Sequence, residues 1–249
     1  MAVPMDLERW FDTLRLLGEI KSGRRACRVP IFDERGREVG HLEPLTARHV
    51  DDSYLIDTFV RWRNQARRGH LDQRPVHPEG TAAWLFDVVT DPLRLANLVH
   101  YEDRLIGRMG FVKLTPTQQE ADSLVRGERG GGMGFMHWAQ MSGLVWGFLV
   151  TGSRSVVADI VSDNHLALEN CLRLGYDSLP FRSRTLYRTV SPEGEVWTTT
   201  GRPEDAVPEV SLLSYRLHDT AFFRVARAFP FLAGLETSLR ESLPRFAES

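Results

Sequence analysis

Apolar residues near the start of the chain recur at helical spacing. Trp10, Leu14 and Leu17 share one face with Phe11 alongside, which predicts an amphipathic helix over 5–20, ended by the basic run Lys21-Ser22-Gly23-Arg24-Arg25. The pattern then turns to strands at 29–32 and 38–42, flanking the turn Asp33-Glu34-Arg35-Gly36. One helix or two short ones are predicted over 46–68, and another over 79–90 with Trp84, Leu85 and Val88 on one side. Strands at 95–101 and 105–114 meet at the tight turn Glu102-Asp103. A strand at 120–126 leads into Gly127-Glu128-Arg129-Gly130-Gly131-Gly132-Met133-Gly134, and an apolar helix follows over 135–149. Next come a buried strand at 155–161 and a helix over 165–174 that Gly175 closes. Strands at 183–190, 195–200 and 210–217, with a turn at Ser191-Pro192-Glu193-Gly194, precede a helical stretch over 220–245 that Pro230 interrupts. Alternating strands and helices of this kind predict an α/β layered domain.

Composition narrows the function classes. The chain has 249 residues, 42% apolar and 26% charged, enough for a full globular core. A formal net charge of −2 argues against a general nucleic-acid binder. Cys27 and Cys171 have no CxxC spacing, so free thiols in a reducing compartment are expected. Neither a signal peptide nor a run of 18 uncharged apolar residues is evident, which makes the expected address cytoplasmic, with no integral membrane segment. No GxSxG elbow is present, and the eight histidines form no HExxH cluster, so no metal is expected.

The glycine run is the clearest chemical signal. It sits between a predicted strand and a predicted helix, where glycine permits left-handed backbone and the helix offers unpaired N–H groups to an anion. Neither GxGxxG nor a Gly-Lys-Ser/Thr loop fits. Arg129-Gly130-Gly131-Gly132-Met133-Gly134 instead matches Arg-x-x-Gly-x-Gly and resembles the pyrophosphate loop of the GNAT superfamily of N-acyltransferases. Further matches stand in the family's order. They are His41-Leu42-Glu43-Pro44-Leu45-Thr46 with Trp62-Arg63-Asn64, then Arg104-Leu105-Ile106-Gly107-Arg108-Met109-Gly110, and then Val161-Ser162-Asp163-Asn164-His165-Leu166-Ala167 with Leu174-Gly175-Tyr176. Together they span roughly 38–218. Trp62-Arg63-Asn64, Trp84-Leu85 and the run 120–127 resemble a narrower branch that includes nucleotide-amino-sugar N-acetyltransferases and ribosomal-protein N-terminal acetyltransferases.

The resemblance implies a mixed, centrally splayed sheet flanked by helices, with acetyl-CoA as cosubstrate and an amine as small-molecule acceptor. It divides the chain into an N-terminal helical extension (1–28), an acetyltransferase domain (29–218) and a C-terminal helical extension (219–249), and a homodimer is compatible with it. Pyrophosphate would rest on Arg129, Gly130, Gly131, Gly132, Met133 and Gly134, with the strand at Leu124 and Val125 orienting the thioester and Asn164 near the pantetheine arm. Glu120 and Asp122, on one side of a strand at period two, are the candidate bases; His100 and His137 are the runners-up. Cys171 stands where the family often has an acidic tyrosine, so it is the candidate general acid, and that departure also keeps a non-catalytic acyl-CoA-binding module in play. Arg63, Asn64 and Trp84 are candidates for acceptor binding. Arg61, Arg63, Arg67 and Arg68 would suit a nucleotide-sugar diphosphate. A deep basic and aromatic pocket near Arg63 and Trp84 would favour a sugar nucleotide, and an open acidic groove a peptide amine.

Overall fold

The computed structural model describes residues 7–132, 134–229, 232, 234–237 and 239. Met133, most of the segment beyond Phe229 and the side chain of Arg68 lie outside the described residues.

Among the described residues, ten strands form one sheet with helices on both faces. A hairpin of β1 (Val29–Phe32) and β2 (Glu38–Pro44) begins it, followed by β3 (Leu95–Tyr101), β4 (Arg104–Val112) and β5 (Gln118–Arg126), all antiparallel neighbours. The second half contains β6 (Ser155–Val161) and β10 (Ala206–His218), with β8 (Arg184–Ser191) and β9 (Gly194–Thr198) beyond. The two-residue β7 (Asp177–Ser178) also pairs with β10 and was too short to leave a sequence pattern.

The two halves meet at β5 and β6, the sheet's parallel pair, and they barely meet. Only Gln118, Gln119 and Glu120 are in register with Ser155, Val156 and Val157. Among the described residues, no strand pairs with β5 on that side from Ala121 onward, which is the predicted central splay. A bulge marks the same stretch: Gly110 faces Asp122 and Arg108 faces Val125, so Met109 alone opposes two residues of β5.

Strand alternation divides the apolar residues between two cores. Leu95 and Val99 enter one with Leu42, Ile106 and Phe111, while Ala96 and Leu98 enter the other with Leu45 and Val125. Under the second face lie α2 (Ser53–Gln65) and α3 (Pro78–Thr90), through Leu55, Phe59, Trp62, Leu85 and Val88. Asp52 starts α2 by accepting from the Leu55 N–H at 3.1 Å, and Pro78 starts α3.

The first face is covered by α4 (Phe135–Thr151), which is buried almost all round. Its outer side is closed by α1 (Leu7–Lys21) and α6 (Asp219–Ala226). Leu16, Leu17 and Ile20 of α1 join the core, and Thr13 Oγ1 donates to the Val150 carbonyl at 3.2 Å. Phe222 of α6 packs on Phe148 with ring centroids 5.6 Å apart. The C-terminal end of α1 is tied down by Lys21, whose ammonium donates to the Val88 and Asp91 carbonyls; burial pulls it down to about 8. Leu17→Ala should cost about 2–5 kcal/mol in urea unfolding. A loss below about 0.5 kcal/mol, the size expected at a surface site, would mean that α1 contributes nothing to the core.

Candidate functional site

The glycine loop leaves β5 and enters α4. Gly131, Gly132 and Gly134 have φ of +69°, +71° and +95°, a run of left-handed positions that explains the glycines. A Cβ on Gly131 would lie 2.4 Å from the Phe135 ring, whereas Gly132 faces open space. Arg126 grips the inside of the loop by donating to the Gly130 and Gly132 carbonyls. Gly134 is the N-cap of α4 and offers no side-chain acceptor, so the first-turn N–H groups of a 17-residue helix keep their capacity for an anion. Arg129 is exposed beside this turn. On the other side of the loop, Trp62 Nε1 and Arg61 both donate to Glu128, at 2.8 and 2.6 Å, which fixes the loop's start against α2.

The two candidate bases have different surroundings. Glu120 lies where β5 is still paired with β6 and bonds Lys113 at 2.8 Å. Asp122 is the carboxylate past the split, with Arg94 Nη2 at 3.1 Å. Leu124 is exposed on the bulge and Val125 is buried in the α2–α3 core, so the bulge sends neighbouring side chains to different environments.

Around Asp122 the structure assembles a basic and aromatic cluster. The Arg108 guanidinium lies 4.4 Å from the Trp84 ring centroid and 5.3 Å from that of Phe59, and Arg94 lies 5.4 Å from Trp84. Arg63 reaches the same region and donates to the Asp72 carbonyl. Burial pulls Arg108 down to about 10, opposed by Asp122 and assisted by Arg94 and Arg63, and it remains charged at neutral pH. Burial, with Arg63 and Arg108, drives His70 down to about 4, leaving a neutral imidazole. Arg94 and Arg108 thus face Asp122, while Arg63 beside them is set against Asp72. Arg63 Nη1, Arg94 Nε and Arg108 Nη1 are closed to solvent without a hydrogen-bond partner. Arg94 and Arg108 were not among the candidate site residues, since Arg94 stands in no motif and the 104–110 match assigns Arg108 no role; strand pairing brings them to Trp84.

A loop over 66–77 covers this cluster. Asn64 latches it by exchanging two bonds with the Val76 backbone, at 3.0 and 2.9 Å, so Asn64 acts on the loop's position. The β8–β9 hairpin holds it from outside, with Gln73 N–H to the Glu195 carbonyl and Trp197 N–H to the Leu71 carbonyl, each 2.7 Å.

Other candidates sit elsewhere. The proposed arginine group divides: Arg61 pairs with Glu128, Arg63 reaches the cluster, and the Arg68 side chain lies outside the described residues. Asn164 caps α5 (His165–Arg173) by accepting from the Ala167 N–H at 3.2 Å. Cys171 is 4% exposed in the core, and burial pushes its thiol up to about 12, which suits packing better than proton delivery. His137 Nδ1 bonds Asn170 Oδ1 at 2.7 Å, tying α4 to α5. His100 belongs to a separate cluster with Glu43.

No family model matches the chain, and no curated protein matches it by sequence. Solved structures do match by fold. A GCN5-related N-acetyltransferase from Brucella melitensis superposes with a TM-score of 0.56 at 17% identity, covering 86% of this chain and 90% of its own. The ribosomal L7/L12 alpha-N-protein acetyltransferase RimL, solved with coenzyme A, gives 0.56 at 14%, covering 78% and 99%. An N-acetyltransferase from Staphylococcus aureus Mu50 gives 0.50 at 15%, covering 67% and 94%. The chain therefore has the GNAT N-acetyltransferase fold, as its motifs imply. No helix among the described residues is long and apolar enough to cross a membrane.

A double variant, Gly132→Asp with Gly134→Asp, places two carboxylates at the helix N-terminus. Calorimetry with coenzyme A should show wild-type binding fall at least about 100-fold, since the cradle's charge preference is reversed. Equal affinities would remove the loop from the binding site.

Proposed function

We propose that the protein is an acetyl-CoA-dependent N-acetyltransferase in which an amine attacks the thioester directly, and that its acceptor is a nucleotide-activated amino sugar. The cosubstrate reading is supported by the fold, the left-handed glycine loop at the α4 N-terminus and the split between β5 and β6. Pyrophosphate would take the N–H groups of the loop. The thioester would lie along the bulged part of β5, where backbone N–H groups near Leu124 and Val125 stabilise the oxyanion.

Of the candidate bases, Asp122 is the better placed, because it lies beyond the last β5–β6 pair and beside the acceptor cluster. It would orient the amine and accept its proton as the C–N bond forms and the C–S bond breaks. With Cys171 enclosed, the departing thiolate takes its proton from solvent.

The acceptor assignment rests on the arginine cluster. Arg63, Arg94 and Arg108, against Asp122 and the Asp72 that faces Arg63, leave the cluster net positive, and guanidiniums present forks that match phosphate oxygens. A diphosphate would complement that charge, and Trp84 supplies an aromatic wall. The likeness to RimL favours a peptide amine as the rival acceptor.

The test is acetyl transfer from acetyl-CoA to a panel of UDP-amino sugars and to peptides with free N-termini. Sugar nucleotides should be acetylated, and Asp122→Asn should lower kcat by about 10²–10⁴-fold. Arg108→Met should raise the KM for the sugar nucleotide at least tenfold and leave the KM for acetyl-CoA unchanged. Peptide acetylation alone, unaffected by Arg108→Met, would overturn the acceptor assignment.

A further inference from the structure

A second polar cluster lies on β2 and β3, outside the site just described. His41 and His100 are direct partners across the β2–β3 ladder, and Glu43 is two residues beyond His41. Alternation therefore puts all three on the α2 side of the sheet, while Leu42 and Val99 point into the opposite core. The imidazoles are stacked, with centroids 4.6 Å apart and planes 2° from parallel.

The donor atoms are arranged more like ligands than like an ordinary ion pair. One atom from each of His41, Glu43 and His100 lies within 4.8 Å of the others. His100 Nε2 is closed to solvent and faces Glu43 Oε2 at 3.3 Å, and His41 Nδ1 is closed to solvent without a hydrogen-bond partner. A buried imidazole nitrogen without a partner is costly unless something else engages it.

Outer neighbours hold the carboxylate in place. The Arg48 guanidinium donates to Glu43 Oε1, and His49 Nε2 lies 3.5 Å from the same oxygen. His49 Nδ1 accepts from the Thr46 N–H at 2.9 Å, which turns Nε2 toward Glu43 Oε1 and Arg48 Nε, the latter 3.4 Å away. Oε1 is thus oriented from outside, and Oε2 is left to the histidine pair. Metal-binding carboxylates are commonly supported in this way. Glu43, His49 and His100 line a cleft of about 650 Å³, which gives a cation a route in.

We propose that His41, Glu43 and His100 form a site for one late first-row divalent cation, with Zn²⁺ as the first choice. Two imidazoles and one carboxylate match the ligand preference of that ion and leave a fourth position open. Metal–ligand bonds of about 2.1 Å put tetrahedral donors about 3.4 Å apart, so donors now within 4.8 Å of one another must close by up to about 1.4 Å, and the imidazoles must turn out of their parallel stack to direct both lone pairs at one ion. The expectation of a metal-free protein came from local motifs, and this cluster is built across strands. Its ion would cross-link β2 to β3 beneath α2.

The test uses the full chain, stripped with EDTA and dialysed, titrated with Zn²⁺ by calorimetry, with Co²⁺ absorption as a second readout of coordination. One equivalent should bind. His41→Ala and His100→Ala should each weaken binding about 100-fold or more, with cooperative unfolding checked for every variant. Glu43→Gln preserves shape and should also weaken binding and alter the Co²⁺ spectrum, should a histidine variant fail to fold. Absence of saturable binding in the wild type would overturn the proposal. So would binding unchanged in all three variants, which would assign the ion to other residues.

Discussion

The structure turns on a failure of pairing. β5 and β6 are parallel neighbours that share only three register positions and then part. Everything associated with the candidate site lies along that opening or at its rim: the bulge at Ser123–Leu124, Asp122, the glycine loop that β5 feeds and the N-terminus of α4. Backbone N–H and C=O groups left without a strand partner normally need another one. A bound extended molecule can supply it, which is why a gap in a sheet makes a binding site where a continuous sheet would not.

The rest of the fold keeps the gap open and gives it two unlike sides. Phe135, Leu144 and Val145 of α4 are buried under one face, so the helix that offers its N-terminus to an anion is firmly anchored. On the other face, α2 and α3 deliver Trp62 to the loop and Trp84 to the arginines. Gly127 belongs to the same arrangement, since a Cβ there would sit 1.9 Å from the Trp62 ring. The proposed cofactor cradle and the proposed acceptor cluster thus share α2, whose Trp62 bonds the start of the glycine loop and whose Arg63 lies beside Arg108.

Much of this was legible in the sequence because it is local. Periodicity located nearly every helix and strand, and three left-handed positions demanded glycines that could be read directly. The splay came from resemblance, since no pattern within β5 records where its neighbour leaves it. Side-chain assemblies built across strands left no trace. Arg94, Arg108 and Asp122 meet only after β3, β4 and β5 pair, and His41 meets His100 only through the β2–β3 register. Conversely, Arg61, Arg67 and Arg68 looked like one patch with Arg63, but helical geometry turns Arg61 toward Glu128. Asn64 and Asn164, candidates for ligand contact, each also satisfy backbone groups, of a loop and of a helix start.

The central claim is that the opening between β5 and β6 receives the acyl-CoA arm. Hydrogen–deuterium exchange with and without coenzyme A tests it most directly. Amides of 121–126 and of 131–137 should both slow when coenzyme A is added, because the first stretch lines the gap and the second forms the cradle. Protection confined to other segments, or none at saturating ligand, would contradict it.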